Sequence, residues 1–137
     1  MEYFRGSEKG AIVKQLLDTQ EGHTPSIVLA EIARKYRREG FDTDEILIRL
    51  LFIESKTGIV SIDVKVSLKA SEVYLELLEL SKKWKLRTPS LADAIVYSIA
   101  ILKQDKLVTG DKLFRDIENV NLYWRLEIDA ACSSYNI

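Results

Sequence analysis

Residues 91–102 are apolar on almost every side of the helix that their sequence predicts. Thr88-Pro89-Ser90 precedes them, and hydroxyl side chains next to a proline are typical of a helix start. A helix without a polar face is stable only when other elements cover it, so this helix belongs at the centre of a fold. With 137 residues, 47% of them hydrophobic, the chain can form a single domain over residues 1–137, although residues 125–137 have no assigned place.

The rest of the chain predicts helices that alternate with short apolar strands. Strands are predicted over residues 59–62, 106–109 and 120–124. Helices are predicted over residues 2–17, with a bend near Gly6 and Gly10, over 65–83 and over 111–116. Two further helices are predicted behind N-cap residues. One starts at Pro25 after Thr24 and runs to about residue 39, and the other starts at the cap Thr43 and runs to about residue 54. This alternation indicates an α/β fold whose short parallel sheet is covered by helices. Three or four strands are few for so many helices, so the sheet is expected to be one strand short.

Composition excludes several classes of function. No run of about 18 apolar residues occurs, so no membrane-spanning helix is predicted. Cys132, the single cysteine, forms no internal disulfide, and the first residues lack a signal-peptide pattern, so the expected location is cytoplasmic. The sequence has no glycine-rich nucleotide loop and no serine-nucleophile motif. His23 has no partner at metal-ligand spacing and is expected in an exposed turn.

A net charge of −1 gives the chain no overall attraction for nucleic acid. Basic residues are nevertheless concentrated in two places, and each group is equally typical of a solvated helix face or helix end. The first group is Arg34, Lys35, Arg37 and Arg38, and the second is Lys82, Lys83, Lys85 and Arg87.

Two aspartates stand where an α/β fold places its chemistry. Asp93 lies in the first turn of the apolar helix, where it either holds a cation or caps the helix together with Ser90. Asp111 follows Thr109 at the end of a predicted strand, the edge at which open α/β sheets bind ligands. The alternative for Asp111 is the N-cap of the short helix that follows. Carboxylates without cysteine or histidine neighbours favour hard divalent cations over zinc.

Glu31 is a third candidate acid. On a helical wheel it falls opposite the apolar arc, which holds Val28, Leu29, Ile32, Ala33 and Tyr36 but not Ile27. It shares the polar arc with Arg34, Lys35 and Arg38. An ordinary surface ion pair between Glu31 and Lys35 is the alternative to a function.

Three segments, in order, resemble the acidic motifs of PIN domains. Residues 24–32 carry a glutamate after a Ser/Thr-rich helix start, residues 91–96 carry an aspartate followed by alanine on a buried helix, and residues 108–114 carry a strand that runs into Thr-x-Asp-x-x-Phe. The similarity covers nearly the whole chain up to residue 124. It implies the three-layer α/β/α PIN fold and is nearest in kind to VapC-type toxin ribonucleases.

The resemblance departs from the family at its front. PIN domains open with an apolar strand that ends in an aspartate, and residues 2–6 look like the segment just after that strand. The first strand and first catalytic aspartate are therefore expected to be missing. Either the start was placed at an internal methionine, or the natural protein lacks the strand and is impaired.

The resemblance implies a metal-dependent endoribonuclease, the toxin of a VapBC-type toxin–antitoxin system. Asp93 and Asp111 would hold Mg²⁺ or Mn²⁺, Glu31 would orient metal-bound water, and Thr109 and Asp116 would support them. RNA would contact Arg34, Lys35 and Arg38. The implied partners are a VapB-like antitoxin and a second copy in a homodimer. The alternative is a catalytically impaired PIN-like module that binds RNA or a partner protein. An unrelated phosphatase-like or receiver-like α/β fold is disfavoured, because it too needs an aspartate after its first strand.

Overall fold

The structure, a computed structural model, describes residues 4, 6, 8–118 and 120–122. Over these residues the helices are α1 Glu8–Thr19, α2 Ser26–Arg38, α3 Thr43–Lys56, α4 Val64–Lys83 and α5 Leu91–Lys103. The strands are β1 Gly22–Pro25, β2 Thr57–Val60, β3 Leu107–Thr109 and β4 Val120–Leu122, and a short 3-10 helix spans Lys112–Phe114. The predicted α/β class is confirmed. Cys132, the end of the last predicted strand and the tail 125–137 lie outside the described residues.

The strands of the described residues pair in parallel, as the sequence predicted. β1 pairs with β2 from Gly22 opposite Thr57, and β3 pairs with β4 from Leu107 opposite Val120. Within the described residues these pairs form two separate two-stranded sheets rather than one. No helix in this part of the chain is long and apolar enough to cross a membrane.

Strand β1 was not predicted, and it replaces the expected turn and N-cap at Thr24. Its sequence, Gly-His-Thr-Pro, has no apolar alternation, so only pairing with β2 makes it a strand. Thr57 Oγ1 donates to Thr24 Oγ1 at 2.8 Å across that pair. The helix therefore starts one residue later than expected, at Ser26, with Pro25 at the N-cap position.

His23 lies in β1 rather than in the predicted turn, although it is exposed as expected. Its Nδ1 is 3.3 Å from Oδ2 of Asp105, just before β3. This side-chain contact brings the starts of β1 and β3 together although their backbones do not pair.

Helix boundaries elsewhere differ from the predictions by a few residues, because capping side chains decide them. Asp42, not Thr43, caps α3, and it forms a capping box with Glu45 in which both hydrogen bonds are 2.9 Å. Asp63 caps α4 through a 2.8 Å bond from the Val66 N–H. The described part of the first helix begins at Glu8, and the helix after β3 is a 3-10 turn that ends at Phe114.

The main core lies between α4 and α5 and is completed by the 3-10 helix and β4. Its buried residues are Val66, Ala70, Val73, Leu77, Ala94, Ile95, Ile99, Leu113, Phe114 and Val120. The central place predicted for α5 is confirmed, because residues 92–102 are buried or partly buried and only the two end residues, Leu91 and Lys103, are exposed.

A smaller core, formed by Ile32, Tyr36 and Ile46, lies between α2 and α3. Helix α2 contacts both cores, because Ile27 packs against the main core while Val28 packs against the smaller one. This explains why Ile27 fell outside the apolar arc of the wheel. The side of α2 that carries Ile27 and, one turn later, Glu31 faces a second surface of the protein rather than open solvent alone.

The end of α4 is a Schellman turn, with bonds from Leu86 N to Ser81 O at 2.9 Å and from Lys85 N to Lys82 O at 3.3 Å. Lys85 occupies the left-handed position, with φ of 50°.

Replacing Lys85 by glycine should raise the free energy of unfolding by about 0.5–1 kcal/mol, since removal of the Cβ strain exceeds the entropy that glycine adds to the unfolded chain. Urea denaturation measures the change. Lys82→Gly, inside the helix, is the control and should lower stability by about 1 kcal/mol; equal losses in both variants would contradict the prediction.

Candidate metal centre

Asp93 is fixed by the start of α5. Ser90 is the N-cap residue, and its Oγ accepts a hydrogen bond from Asp93 N at 3.2 Å. In return Asp93 Oδ2 accepts from Ser90 N at 2.6 Å and from Ser90 Oγ at 2.9 Å. The capping box that the sequence offered as an alternative is therefore formed, and it uses Oδ2 of the carboxylate while leaving Oδ1 free of capping.

Asp111 is fixed in a comparable way after β3. Its Oδ1 accepts from Leu113 N at 2.9 Å, so it is the N-cap of the 3-10 helix, as the alternative from the sequence proposed. Its own N–H donates to Thr109 Oγ1 at 3.1 Å. Thr109 thus fixes the backbone that carries the aspartate, while Oδ2 of Asp111 is left free of capping.

Arg87 joins the two aspartates. Its Nη1 lies 2.8 Å from Asp93 Oδ2, and its Nη2 lies 2.8 Å from Asp93 Oδ1 and 2.5 Å from Asp111 Oδ2. Its Nε adds a 3.1 Å bond to Asp111 Oδ2. Side chains from the start of α5 and the end of β3 therefore meet at one guanidinium.

Hydrogen bonds and opposite charge keep Asp93 and Arg87 ionised although burial opposes it. Partial burial of Asp93 by itself raises the pKa of its carboxyl, but the hydrogen bonds from Arg87 and Ser90 outweigh burial and lower the pKa below its ordinary value. The hydrogen bond to Asp93, with a smaller one to Asp111, raises the pKa of Arg87 further although burial opposes it. Near neutral pH the site consists of an anionic Asp93 and a cationic Arg87.

The sequence singled out Arg87 only as a member of a basic group. It lies in the loop after the Schellman turn, where Leu86 packs against the main core and Pro89 is buried. These contacts aim Arg87 at the aspartates, and none of them follows a local pattern. The signal available in the sequence was Pro89, which lies two residues after Arg87 and directly before the N-cap residue Ser90.

The structure does not bring Glu31 and Asp116 into this group. Glu31 is partly exposed on α2 and forms no ion pair with Lys35 within the described residues, so that alternative is not formed. Asp116 pairs with Arg115 at 3.2 Å and lines a separate cleft of about 330 Å³ with Glu76, Tyr97 and Glu118. The exposed residues Arg34, Lys35 and Arg38 lie on α2.

The donor types fit a hard divalent cation, because two carboxylates are directed at one shared cationic position. Mg²⁺ is commonly held by one or two carboxylates and keeps several waters. No group of three or more acid, histidine or cysteine side chains gathers for a metal within the described part of the chain. The site present is therefore a carboxylate pair.

Comparison with known proteins places the chain in a fold family. The family model described as PIN domain matches residues 1–120. A chain in the crystal structure of VapBC2 from Rickettsia felis, bound to a DNA fragment from their promoter, superposes with a TM-score of 0.56 and 22% sequence identity. The alignment covers 80% of this chain and 79% of that chain, and it supports the three-layer α/β/α fold. No match was found among curated proteins.

Proposed function

The chain belongs to the PIN domain family, and on that premise we propose that it is a divalent-cation-dependent endoribonuclease, the toxin of a VapBC-type pair. The observation that carries the proposal is the convergence of Asp93 Oδ1 and Asp111 Oδ2 on a single nitrogen of Arg87. A position that already holds a cationic nitrogen between two anionic oxygens is suited to a metal ion.

In this proposal Asp93 and Asp111 hold Mg²⁺ or Mn²⁺, and Thr109 keeps Asp111 in place. A bound divalent cation lowers the pKa of a water and stabilises charge on a phosphate. Glu31, one turn beyond Ile27 on the side of α2 that packs against the main core, is assigned the orientation of water, and Asp116, at its separate cleft, is assigned a supporting place.

RNA binding is assigned to Arg34, Lys35 and Arg38. All three are exposed, and no described carboxylate neutralises them in an ion pair. Arg34 and Lys35 lie one turn beyond Glu31, so a phosphate backbone that contacts them passes close to the proposed water-orienting acid. Their charge is local, which fits a chain of net charge −1.

A protein partner is supported by an apolar patch on α3. Leu47, Ile48 and Leu51 are 50%, 68% and 52% exposed, and such a patch is suited to protein contact. The proposed partners are a VapB-like antitoxin and a second copy of the chain, in the cytoplasm.

The test of this function is cleavage of a labelled single-stranded RNA by the full chain in Mn²⁺ or Mg²⁺. Cleavage should require the metal, stop on addition of EDTA and return when Mn²⁺ is supplied in excess, because the proposed reaction uses a divalent cation to lower the pKa of a water and to stabilise charge on the phosphate. The same preparation carried through without added metal is the control. Intact RNA at saturating Mn²⁺ would refute the nuclease proposal.

A second candidate is a catalytically impaired PIN-like module that binds RNA or a partner protein. It is favoured by the absence of a third acid beside Asp93 and Asp111 in the described residues. Titration calorimetry distinguishes the two functions: RNA binding without any Mn²⁺ binding would favour the impaired module.

A further inference from the structure

Arg87 fills the position between the two carboxylates that the proposed metal ion would occupy. Each aspartate has one oxygen committed to a helix cap, Oδ2 of Asp93 and Oδ1 of Asp111. The other oxygen of each, within the part of the chain that the structure describes, contacts only Arg87. Both of these oxygens contact the same nitrogen, Nη2.

From this geometry we propose that Arg87 is a built-in counter-ion that competes with a divalent cation for Asp93 and Asp111, so that metal binds only as the guanidinium moves away. The inference rests on the proposed function for the identity of the cation. It goes beyond that function by assigning a regulatory place to a residue outside the acidic motifs.

Competition follows from distances and charge. Mg²⁺ requires oxygen ligands at about 2.0–2.1 Å, and a metal ion cannot share the space that Nη2 fills at 2.5–2.8 Å from the same oxygens. If the Arg87 guanidinium moved only a few ångströms away, its positive charge would still repel a metal ion bound to the carboxylates. Metal binding therefore includes the work of separating Arg87 from both carboxylates and from Thr88 O, to which Nη1 also donates at 3.2 Å.

The structure also provides a way for Arg87 to leave. Its side chain is 46% exposed, whereas that of Asp93 is 16% exposed, so the arginine is the member of the cluster nearest solvent. The Schellman turn and Leu86 anchor its backbone, so side-chain rotation alone can move the guanidinium outward. The carboxylates stay in place independently of Arg87, because Ser90 and Leu113 N donate to them and Thr109 Oγ1 accepts from the backbone N–H of Asp111.

The experiment measures Mn²⁺ alone, without RNA, by titration calorimetry on wild-type protein, Arg87→Gln and Arg87→Lys. Arg87→Gln should bind Mn²⁺ at least about 10-fold more tightly than wild type, since the competing charge is gone. Arg87→Lys, which keeps the charge but loses the planar fork, should fall between them. Lys82→Gln removes the same charge from an exposed ion pair with Glu79 and should leave Mn²⁺ affinity unchanged.

Thermal denaturation provides a second readout and guards against misfolding. In chelator, Arg87→Gln should melt below wild type because two carboxylates lose their counter-ion, and Mn²⁺ should raise its melting temperature by more than it raises that of wild type. Equal or weaker Mn²⁺ binding by Arg87→Gln would overturn the inference, as would the absence of binding in every variant. If Arg87→Gln binds Mn²⁺ more tightly but RNA stays intact at saturating metal, the counter-ion role of Arg87 is supported and the proposed nuclease activity is refuted.

Discussion

Asp93→Asn should reduce metal-dependent RNA cleavage by at least about 100-fold, the largest functional effect expected of a single substitution in this chain. The amide keeps an oxygen that can accept the capping bonds from Ser90, whereas the negative charge that would hold a divalent cation is lost. The substitution therefore separates the capping function of Asp93 from its proposed metal function. Initial cleavage rates at saturating Mn²⁺ measure the effect.

Asp63→Asn is the matched control for that experiment. Asp63 also caps a helix, through its 2.8 Å bond from Val66 N, but it lies at the start of α4 and outside the carboxylate pair. Its cleavage rate should equal that of wild type. Circular dichroism and melting curves establish that both variants are folded at the assay temperature. If Asp93→Asn, folded, cleaves as fast as Asp63→Asn, Asp93 does not hold the metal.

Leu77→Ala should lower the free energy of unfolding by about 2–5 kcal/mol, the largest effect on stability expected here. Leu77 lies on α4 in the main core and is fully buried, so its removal leaves a cavity between α4 and α5. Because α5 carries Asp93, the loss also loosens the support of the site. Urea denaturation followed by circular dichroism measures the change.

The chain offers a matched control two residues away on the same helix. Leu75 is 62% exposed, so Leu75→Ala deletes the same atoms without creating a cavity and should change stability by less than about 0.5 kcal/mol. Similar losses in the two variants would show that the α4–α5 core is not packed as described.

Much of the fold could be predicted because its signals are local. The all-apolar segment predicted a central helix, and α5 lies in the main core. Ser90 with Asp93, and Asp111 with the residues after it, predicted helix caps that the structure confirms. These interactions join residues within three positions of each other, so the sequence contains both partners side by side.

Strand β1 could not be predicted, for the opposite reason. Nothing in Gly-His-Thr-Pro favours a strand, and its pairing partner β2 starts 35 residues later, at Thr57. The helical wheel of α2 was incomplete because it also lacked information about distant partners. It assumed one buried face, whereas the helix contacts two cores.

The three motifs and their order, read from the sequence, determined the family and singled out Asp93 and Asp111 as candidates. Only the tertiary structure decided what those aspartates contact. Arg87 lies six residues from Asp93 and 24 from Asp111, and it reaches both because α4 ends in a Schellman turn beside the core. Local chemistry thus fixed each carboxylate in its cap, while long-range packing placed the guanidinium between them.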